Sequence, residues 1–204
     1  MKQILTTELA ELICTRISHD LIGSIGTVAN ALELWEDDSN DMTDVKMLLE
    51  NSSQVLNARM KFFRLAFGLK NAAPKNLEEF DEIIRCYLET IGNAKTPIVL
   101  ISDIKNVSCY KIAMLAVMLL ADSFVRGGTI KAIETDDTLR FEATSEYDLS
   151  ISKLEKMQQA VKGEIPNENS ALFAHVAYLK AFLSEIGADI ELAFEHKKAV
   201  LNIK

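Results

Sequence analysis

The sequence predicts an α+β protein, in which a helical hairpin precedes an α/β sandwich of helices on one mostly antiparallel sheet. Two observations predict the hairpin: residues 7–35 and 43–69 lack proline, and both segments repeat apolar residues every three or four positions. The third observation is a change of pattern after residue 75, where short β-type runs alternate with helical segments. We therefore predict a hairpin domain at residues 1–70 and a sandwich domain at residues 76–204.

The composition is that of a globular protein. Hydrophobic residues make up 49% of the 204 residues, and the net charge is −8. No run of lysine and arginine is longer than a pair, which argues against nucleic acid as a partner, and the acidity argues against an anionic membrane surface. The longest apolar run, residues 112–121, is shorter than the roughly 18–20 residues that cross a bilayer, and the N-terminus has no signal-peptide pattern. We expect a cytoplasmic protein with no nucleic-acid and no membrane partner.

The cysteines and histidines are too scattered for a metal site. Cys14, Cys86 and Cys109 are odd in number, widely spaced and surrounded by apolar residues. This pattern is typical of buried, reduced thiols in the cytosol. We expect no metal ion on this chain.

The first predicted helix carries a heptad seam. Its members share the spacing of residues that face a partner helix: Cys14, Ile17, Leu21, Val28, Ala31 and Trp35. Ser24 is the polar exception on this seam.

The second predicted helix follows an acidic turn at residues 36–41. Its inner side is marked by residues at helical spacing: Val45, Leu48, Ser52, Val55, Arg59, Phe62, Ala66 and Leu69. Two long amphipathic helices joined by a short loop form an antiparallel hairpin, which cannot bury both apolar stripes alone. A second copy would complete a four-helix bundle, so we predict a homodimer.

Breaker residues at 68–75 predict a linker before the sandwich. Asn76, with Glu79 three residues later, predicts a capping box at the start of a helix that reaches about residue 91. Residues 111–125 predict a buried helix that ends at a glycine pair, Gly127 and Gly128. The other predicted elements are strands at 97–102, 129–135 and 139–144, helices at 149–161 and 170–186, and strands at 189–194 and 199–203.

His19 lies on the outward side of the first predicted helix. At about 100° per residue it stands roughly 200° from both Ile17 and Leu21, so its ring points away from the seam. Gly23 and Gly26 share its side, although glycine inside a helix costs about 1 kcal/mol relative to alanine. Small residues there would let the backbone of another protein approach the imidazole.

The residues around His19 predict a phosphoryl-accepting site. A neutral ring nitrogen can attack phosphorus at cellular pH, because histidine titrates near neutrality. Asp20 could hold the opposite ring nitrogen in the right tautomer, and Arg16, three residues earlier, could offset phosphoryl charge. Ile22, an exposed apolar residue one turn away, suits a docking contact. The competing interpretation is an exposed polar histidine without a role.

The segment LAELICTRISHDLIGSIGTVANALELWEDD closely resembles the first helix of the ChpT-type histidine phosphotransferases of alphaproteobacterial phosphorelays. The family motif is present as Arg16, Ser18, His19, Asp20 and Leu21, followed by NALEL at residues 30–34. The resemblance implies that His19 is the phosphoacceptor in a dimeric four-helix bundle. It also implies that the second domain is a degenerate histidine-kinase ATP-binding domain.

Three features of a working kinase domain are missing from this second domain. The helix before the glycine pair has Leu119 where a magnesium-binding asparagine would fall, and no Asp-x-Gly-x-Gly loop occurs in the chain. The region corresponding to the nucleotide lid, residues 169–175, has no glycine. We expect no ATP and no cofactor on this chain; any Mg²⁺ would belong to the partner receiver domain. His175 is predicted to be a partly buried structural residue, and His196 a hairpin-turn residue.

The resemblance predicts a cytoplasmic phosphorelay intermediate without ATP-dependent kinase activity. It would accept phosphoryl from the receiver aspartate of a hybrid sensor kinase and pass it to receiver domains of response regulators, including one that controls the cell cycle. The expected receiver-docking residues, on the outer faces of both helices, are Ile22, Gly23, Gly26, Asn57, Met60, Lys61 and Arg64. Two alternatives are a non-enzymatic dimeric scaffold that binds receivers, and a true kinase module with an unusual nucleotide site.

Overall fold

A computed structural model of the chain describes residues 6–35, 42–68, 74–92, 94–164 and 170–204. The first two helices, α1 (Thr6–Trp35) and α2 (Met42–Ala66), pack against each other as the predicted hairpin. Asp20 on α1 contacts Arg59 on α2. Arg16 in the first half of α1 contacts Leu172, and Phe67 just past the end of α2 contacts Tyr178, so the start of α1 lies beside the end of α2 and the two helices run antiparallel. The acidic turn at residues 36–41 and most of the predicted linker, residues 69–73, lie outside the described residues.

The predicted inner side of α2 is confirmed in part. Val45, Ser52, Phe62 and Ala66 are buried, because their helical spacing places them on the side that meets α1 and the rest of the chain. The other predicted inner residues are half-buried, Leu48, Val55 and Arg59, or lie outside the described residues, Leu69. The helix ends at Ala66, about one turn earlier than expected.

The predicted seam of α1 is wrong at its two ends, where Cys14 and Trp35 are exposed, while the seam residues between them are buried or half-buried. Near Cys14 it is Arg16 that is buried instead. The reason at this end is a second packing partner, because α1 also contacts the 3₁₀ turn at Ser170–Phe173 and the helix that follows it. The prediction of three buried thiols is therefore wrong for Cys14, and Cys86 and Cys109 are half-buried.

The C-terminal part is a five-stranded sheet covered by helices on one side. Its elements are α3 (Leu77–Glu89), β1 (Ile98–Asp103), α4 (Tyr110–Ala121), β2 (Gly128–Glu134), β3 (Leu139–Thr144), α5 (Ile151–Val161), α6 (Ala174–Glu185), β4 (Ile190–Glu195) and β5 (Lys198–Ile203). The strand order is β1-β2-β3-β5-β4, with β1 and β2 parallel and every other pair antiparallel. This confirms the predicted α+β class and the mostly antiparallel sheet.

Local sequence signals explain the ends of α3 and α4. The Asn76 side chain accepts a hydrogen bond from the Glu79 amide at 2.9 Å, as the capping box predicts, while Glu79 bonds the Lys75 amide at 2.8 Å. Helix α4 ends at Ala121, earlier than predicted. The amides of Ser123 and Phe124 donate to the carbonyls three residues before them, as in a 3₁₀ turn, and this tightens the chain after the helix. The glycine pair lies beyond that turn, at the start of β2.

The hairpin shares one hydrophobic core with the sheet and the helices that cover it. The ring of Phe62 on α2 stacks on Tyr87 of α3 with centroids 3.7 Å apart, and Phe67 lies edge-on to Tyr178 of α6. Every residue of α4 except Lys111 is buried, so this helix is the centre of the core. In the part of the chain that the structure describes, every helix falls short of the length and apolar content needed to cross a bilayer.

Candidate functional site

His19 stands on an open surface of α1. Its side chain is 68% exposed, and Ile22, one turn on, is 67% exposed. Gly23 and Gly26 lie on the same exposed surface, and a Cβ added at either would meet no atom within 4 Å. Nothing in the described chain therefore requires these glycines, and the imidazole is open to approach by another molecule.

Asp20 is the acidic neighbour of the His19 ring. Its Oδ1 lies 3.3 Å from His19 Nδ1, and its Oδ2 accepts a hydrogen bond from Arg16 Nε at 2.7 Å. The two oxygens of Asp20 thus have separate partners on opposite sides of the carboxylate. A carboxylate at Nδ1 favours the tautomer that keeps a proton there and leaves Nε2 with its lone pair.

Arg16 does not lie on the His19 surface, and that part of the prediction is wrong. The residue is 5% exposed, and its guanidinium points inward. Nη1 donates to the Leu172 carbonyl at 2.9 Å, and Nη2 lies 3.0 Å from the carboxylate of Asp122, the residue that caps the C-terminus of α4. Three partly buried acceptors, on Asp20, Asp122 and Leu172, hold the planar donor group in the interior, so Arg16 is not free to reach the exposed surface of His19.

Arg16 affects the pKa values of the titratable groups around it, Asp122 and His175. Burial alone would lower the pKa of Arg16, but Asp122 and Asp20 outweigh it and the pKa is raised. Burial raises the pKa of Asp122, although Arg16 opposes this shift. His175 on α6 is completely buried, 3.7 Å from Asp122, and burial together with Arg16 lowers its pKa well below the ordinary value. His175 is therefore a neutral core residue, more deeply buried than predicted.

The predicted docking residues of α2 line a groove. Asn57, Met60, Lys61 and Arg64 are exposed, and they border it together with Ile17 of α1 and three residues near the end of α2: Phe63, Phe67 and Gly68. Ile17 borders the groove from α1; it is two residues before His19 in the sequence but about 200° away around the helix.

Two residues beside the site were missed by the sequence analysis. Asp122 holds Arg16, and Arg59 donates from α2 to the main-chain carbonyl of Asp20. Each carried a signal that was not used. Asp122 directly follows a continuous run of buried residues in α4, and Arg59 occupies an inner position of α2, where a charge needs a partner.

No protein-family model matches the chain. A curated protein, the protein phosphotransferase ChpT of Brucella abortus (strain 2308), is 36% identical over 74 residues, which are 36% of this chain and 35% of that protein. A solved structure of a bacterial phosphotransferase covers 100% of this chain and 98% of its own, with a TM-score of 0.78 and 20% identity.

The resemblance to ChpT-type phosphotransferases is confirmed. The ChpT-type likeness in sequence spans about a third of the length of the curated relative. The likeness to the solved phosphotransferase is one of fold, over the whole chain. A more distant structure, the Acinetobacter baumannii histidine kinase AdeS, has a TM-score of 0.47 and 14% identity, and covers 91% of this chain and 95% of its own.

Proposed function

We propose that this protein is a histidine phosphotransfer protein of a two-component phosphorelay, which carries the phosphoryl group on His19. The observation that carries the proposal is the pairing of an exposed imidazole with a carboxylate at its Nδ1. The sequence likeness to a ChpT phosphotransferase supports it.

In the accepting step, the lone pair on Nε2 of His19 attacks the phosphorus of an aspartyl phosphate on a partner receiver domain. The N–P bond forms as the P–O bond to the aspartate breaks, and that electron pair leaves with the carboxylate. Positive charge develops on the ring, and Asp20 stabilises it through the proton on Nδ1, as an orienting carboxylate does for other nucleophilic or basic histidines.

In the donating step, the carboxylate of a second receiver attacks the same phosphorus. The N–P bond breaks, its electron pair returns to Nε2, and the ring is again neutral with its proton on Nδ1. Each receiver would supply its own Mg²⁺ to balance phosphoryl charge, so we assign no metal or other cofactor to this chain.

We assign receiver docking to two exposed surfaces, one on each helix of the hairpin. Ile22, Gly23 and Gly26 offer a flat apolar approach to the ring on α1. On α2 the outward residues are Asn57, Met60, Lys61 and Arg64. The two cations suit the acidic pocket that surrounds a receiver aspartate, and they would act mainly on the association rate.

We propose that the protein receives its phosphoryl group from a receiver and does not make it from ATP. Leu119 on α4 is apolar and completely buried, so it offers no ligand to a nucleotide-bound metal ion. The kinase alternative requires that ATP alone label the protein.

We propose that the working unit is a homodimer. Exposed large apolar side chains gather at the turn end of the hairpin: Ile25, Leu32, Leu34, Trp35, Met42 and Met47. Apolar side chains at the end of a two-helix hairpin are typical of a bundle completed by a second hairpin. Sedimentation equilibrium of the whole protein would test this state.

Phosphotransfer from a phosphorylated receiver domain tests the proposed function. The wild type should gain acid-labile label, His19→Ala should gain none, and ATP alone should label neither protein. The matched control is His196→Ala, which removes another exposed histidine, at the β4–β5 turn, and should label normally. Receiver binding without any label on the wild type would instead favour the scaffold.

A further inference from the structure

A continuous chain of polar contacts leads from the C-terminal end of α4, which packs on the sheet, to the His19 ring. Asp122, at the end of α4, holds Nη2 of Arg16 at 3.0 Å, and Arg16 Nε donates to Asp20 Oδ2 at 2.7 Å. Asp20 Oδ1 then lies 3.3 Å from His19 Nδ1. Three of these four side chains are largely shielded from solvent, and only the ring at the end of the chain is exposed.

A second arginine holds the main chain at the same point. Arg59 on α2 donates through Nη1 to the Asp20 carbonyl, through Nη2 to the Thr90 carbonyl at 3.0 Å, and through Nε to the Thr90 hydroxyl at 3.1 Å. Thr90 is the C-terminal cap of α3. The backbone of Asp20 is therefore tied to the end of α3 through Arg59. The orientation of the Asp20 side chain is set separately, by Arg16.

We propose that Asp122 is a positioning residue for phosphoryl transfer at His19, acting through Arg16 and Asp20; this inference rests on the proposed function. Asp122 keeps Nη2 of Arg16 engaged in the sheet layer, so that Arg16 binds Asp20 through Nε alone. One oxygen of Asp20 is then left for the His19 ring. The carboxylate of Asp122 contacts Arg16 and not the His19 ring, so its effect on the ring passes through the arginine.

The geometry of the guanidinium explains why Asp122 would matter. An arginine with one carboxylate partner tends to bind both of its oxygens in a fork. Without the Asp122 charge, Arg16 is free to turn its second nitrogen to Asp20 and draw Oδ1 away from His19 Nδ1. The ring would then lose the partner that keeps the proton on Nδ1. Asp122, at the end of α4, would thus influence the chemistry on the hairpin without touching the substrate.

Other charged groups near Asp122 do not replace this contact. Lys153 on α5 donates to the main-chain carbonyl of Asp122 at 3.1 Å, and does not contact its carboxylate at hydrogen-bond distance among the described residues. His175 Nε2 lies 3.7 Å from Oδ2, beyond a hydrogen bond, and the ring is neutral. Arg16 is therefore the cation that responds to Asp122.

Single-turnover transfer from a phosphorylated receiver tests the proposal in Asp122→Asn, which keeps the size and removes the charge. The maximal rate should fall roughly 10- to 100-fold, the range found when a partner that orients a metal-bound histidine is lost. The receiver concentration for half-maximal rate should stay within about twofold, because the docking surface is untouched. Asp122→Glu should recover a large part of the rate.

The matched control for this series is Asp189→Asn, which removes the same charge from an exposed ion pair with Lys180. It should transfer at the wild-type rate. If Asp122→Asn transfers within twofold of this control, or if its loss lies in the half-saturating concentration instead of the maximal rate, the proposal is overturned.

Nitrogen NMR of ¹⁵N-histidine protein gives a reading that needs no partner. The chain has three histidines, and a His19→Gln spectrum identifies the signals of His19. At about pH 8.5, two units above the ordinary histidine pKa of about 6.5, the wild type should show a proton on Nδ1 of His19. Asp122→Asn should shift the ring towards an even mixture of tautomers.

Arg16→Lys keeps the test decisive if Asp122→Asn fails to fold. Lysine retains the buried charge but is a point donor that cannot hold Asp122 and Asp20 together in a fixed geometry. The Asp20 side chain then loses its fixed orientation, and the His19 ring should again move towards a mixture of tautomers. An unchanged His19 tautomer in the folded variants overturns the positioning role. Failure of the wild type to take label on His19 would overturn the proposed function instead, and the NMR result would still decide how the ring is held.

Discussion

The two sides of α1 near His19 differ in almost every physical respect. The outer side carries His19, Ile22 and two glycines, and it is open to solvent. The inner side carries Arg16, whose partners lie on α4 and in the 3₁₀ turn at Ser170–Phe173. The outer side offers the nucleophile, and the inner side fixes the groups behind it. A helix can be bare at its reacting surface because polar contacts one turn earlier hold it.

The largest effect is expected where the two sides meet, at Asp20. Asp20→Asn keeps the shape but removes the charge that orients the ring, and an orienting or basic group typically contributes about 10²- to 10⁴-fold to the rate. The maximal transfer rate should fall at least about 100-fold. Rapid-quench transfer assays measure it, with Asp189→Asn as the control. A loss under about tenfold would mean that the outer side works without its support.

The second-largest effect is expected on stability, when Arg16 is removed from the inner side of α1. Arg16→Ala leaves the carboxylates of Asp20 and Asp122 without their cation, and removing one partner of a buried pair costs about 3–5 kcal/mol. Urea unfolding measures this loss. Lys46→Ala, which breaks the exposed pair with Glu50, should cost no more than about 0.5 kcal/mol. Equal costs for both variants would contradict the contrast between the two sides.

His175 makes the inner side sensitive to acid. Its folded-state pKa is lowered, so the unfolded chain binds a proton that the folded chain does not. This contribution to stability is fully present above the unfolded pKa of about 6.5 and is lost as the pH falls below it, by at most about 1.4 kcal/mol per pH unit. Urea titrations between about pH 7 and pH 5 measure the slope. His175→Gln should flatten it, whereas His196→Ala should not.

The smallest expected effect belongs to Gly23 on the outer side. Gly23→Ala meets no atom within 4 Å and should stabilise α1 by about 0.5–1 kcal/mol, because alanine is the better helix former. The added methyl group should raise the receiver concentration needed for half-maximal transfer. Thermal melting and transfer assays measure the two effects. A stabilised variant with unchanged receiver affinity would place the docking surface elsewhere.

Sequence pattern predicted the outer side of α1 and most of the fold. The outward direction of His19 follows from local helical spacing, and the strands follow from short runs of β-type residues between turns. Arg16 could not be placed in the same way. Its partners Asp122 and Leu172 lie 106 and 156 positions further along the chain, and apolar periodicity carries no information about such pairs. The exposed Cys14 has the same origin, because contacts from distant elements rotate the buried side of α1.

The nitrogen of His19 that carries the phosphoryl group shows whether Asp20 orients the ring as the structure indicates. The wild type is labelled with ¹⁵N-histidine and phosphorylated by an unlabelled receiver domain. The nitrogen bonded to phosphorus is then identified by ³¹P–¹⁵N NMR. Because Asp20 holds Nδ1 and leaves Nε2 open, we expect one phosphoryl group on Nε2 of His19. Phosphorus on Nδ1, or on any residue other than His19, would contradict it.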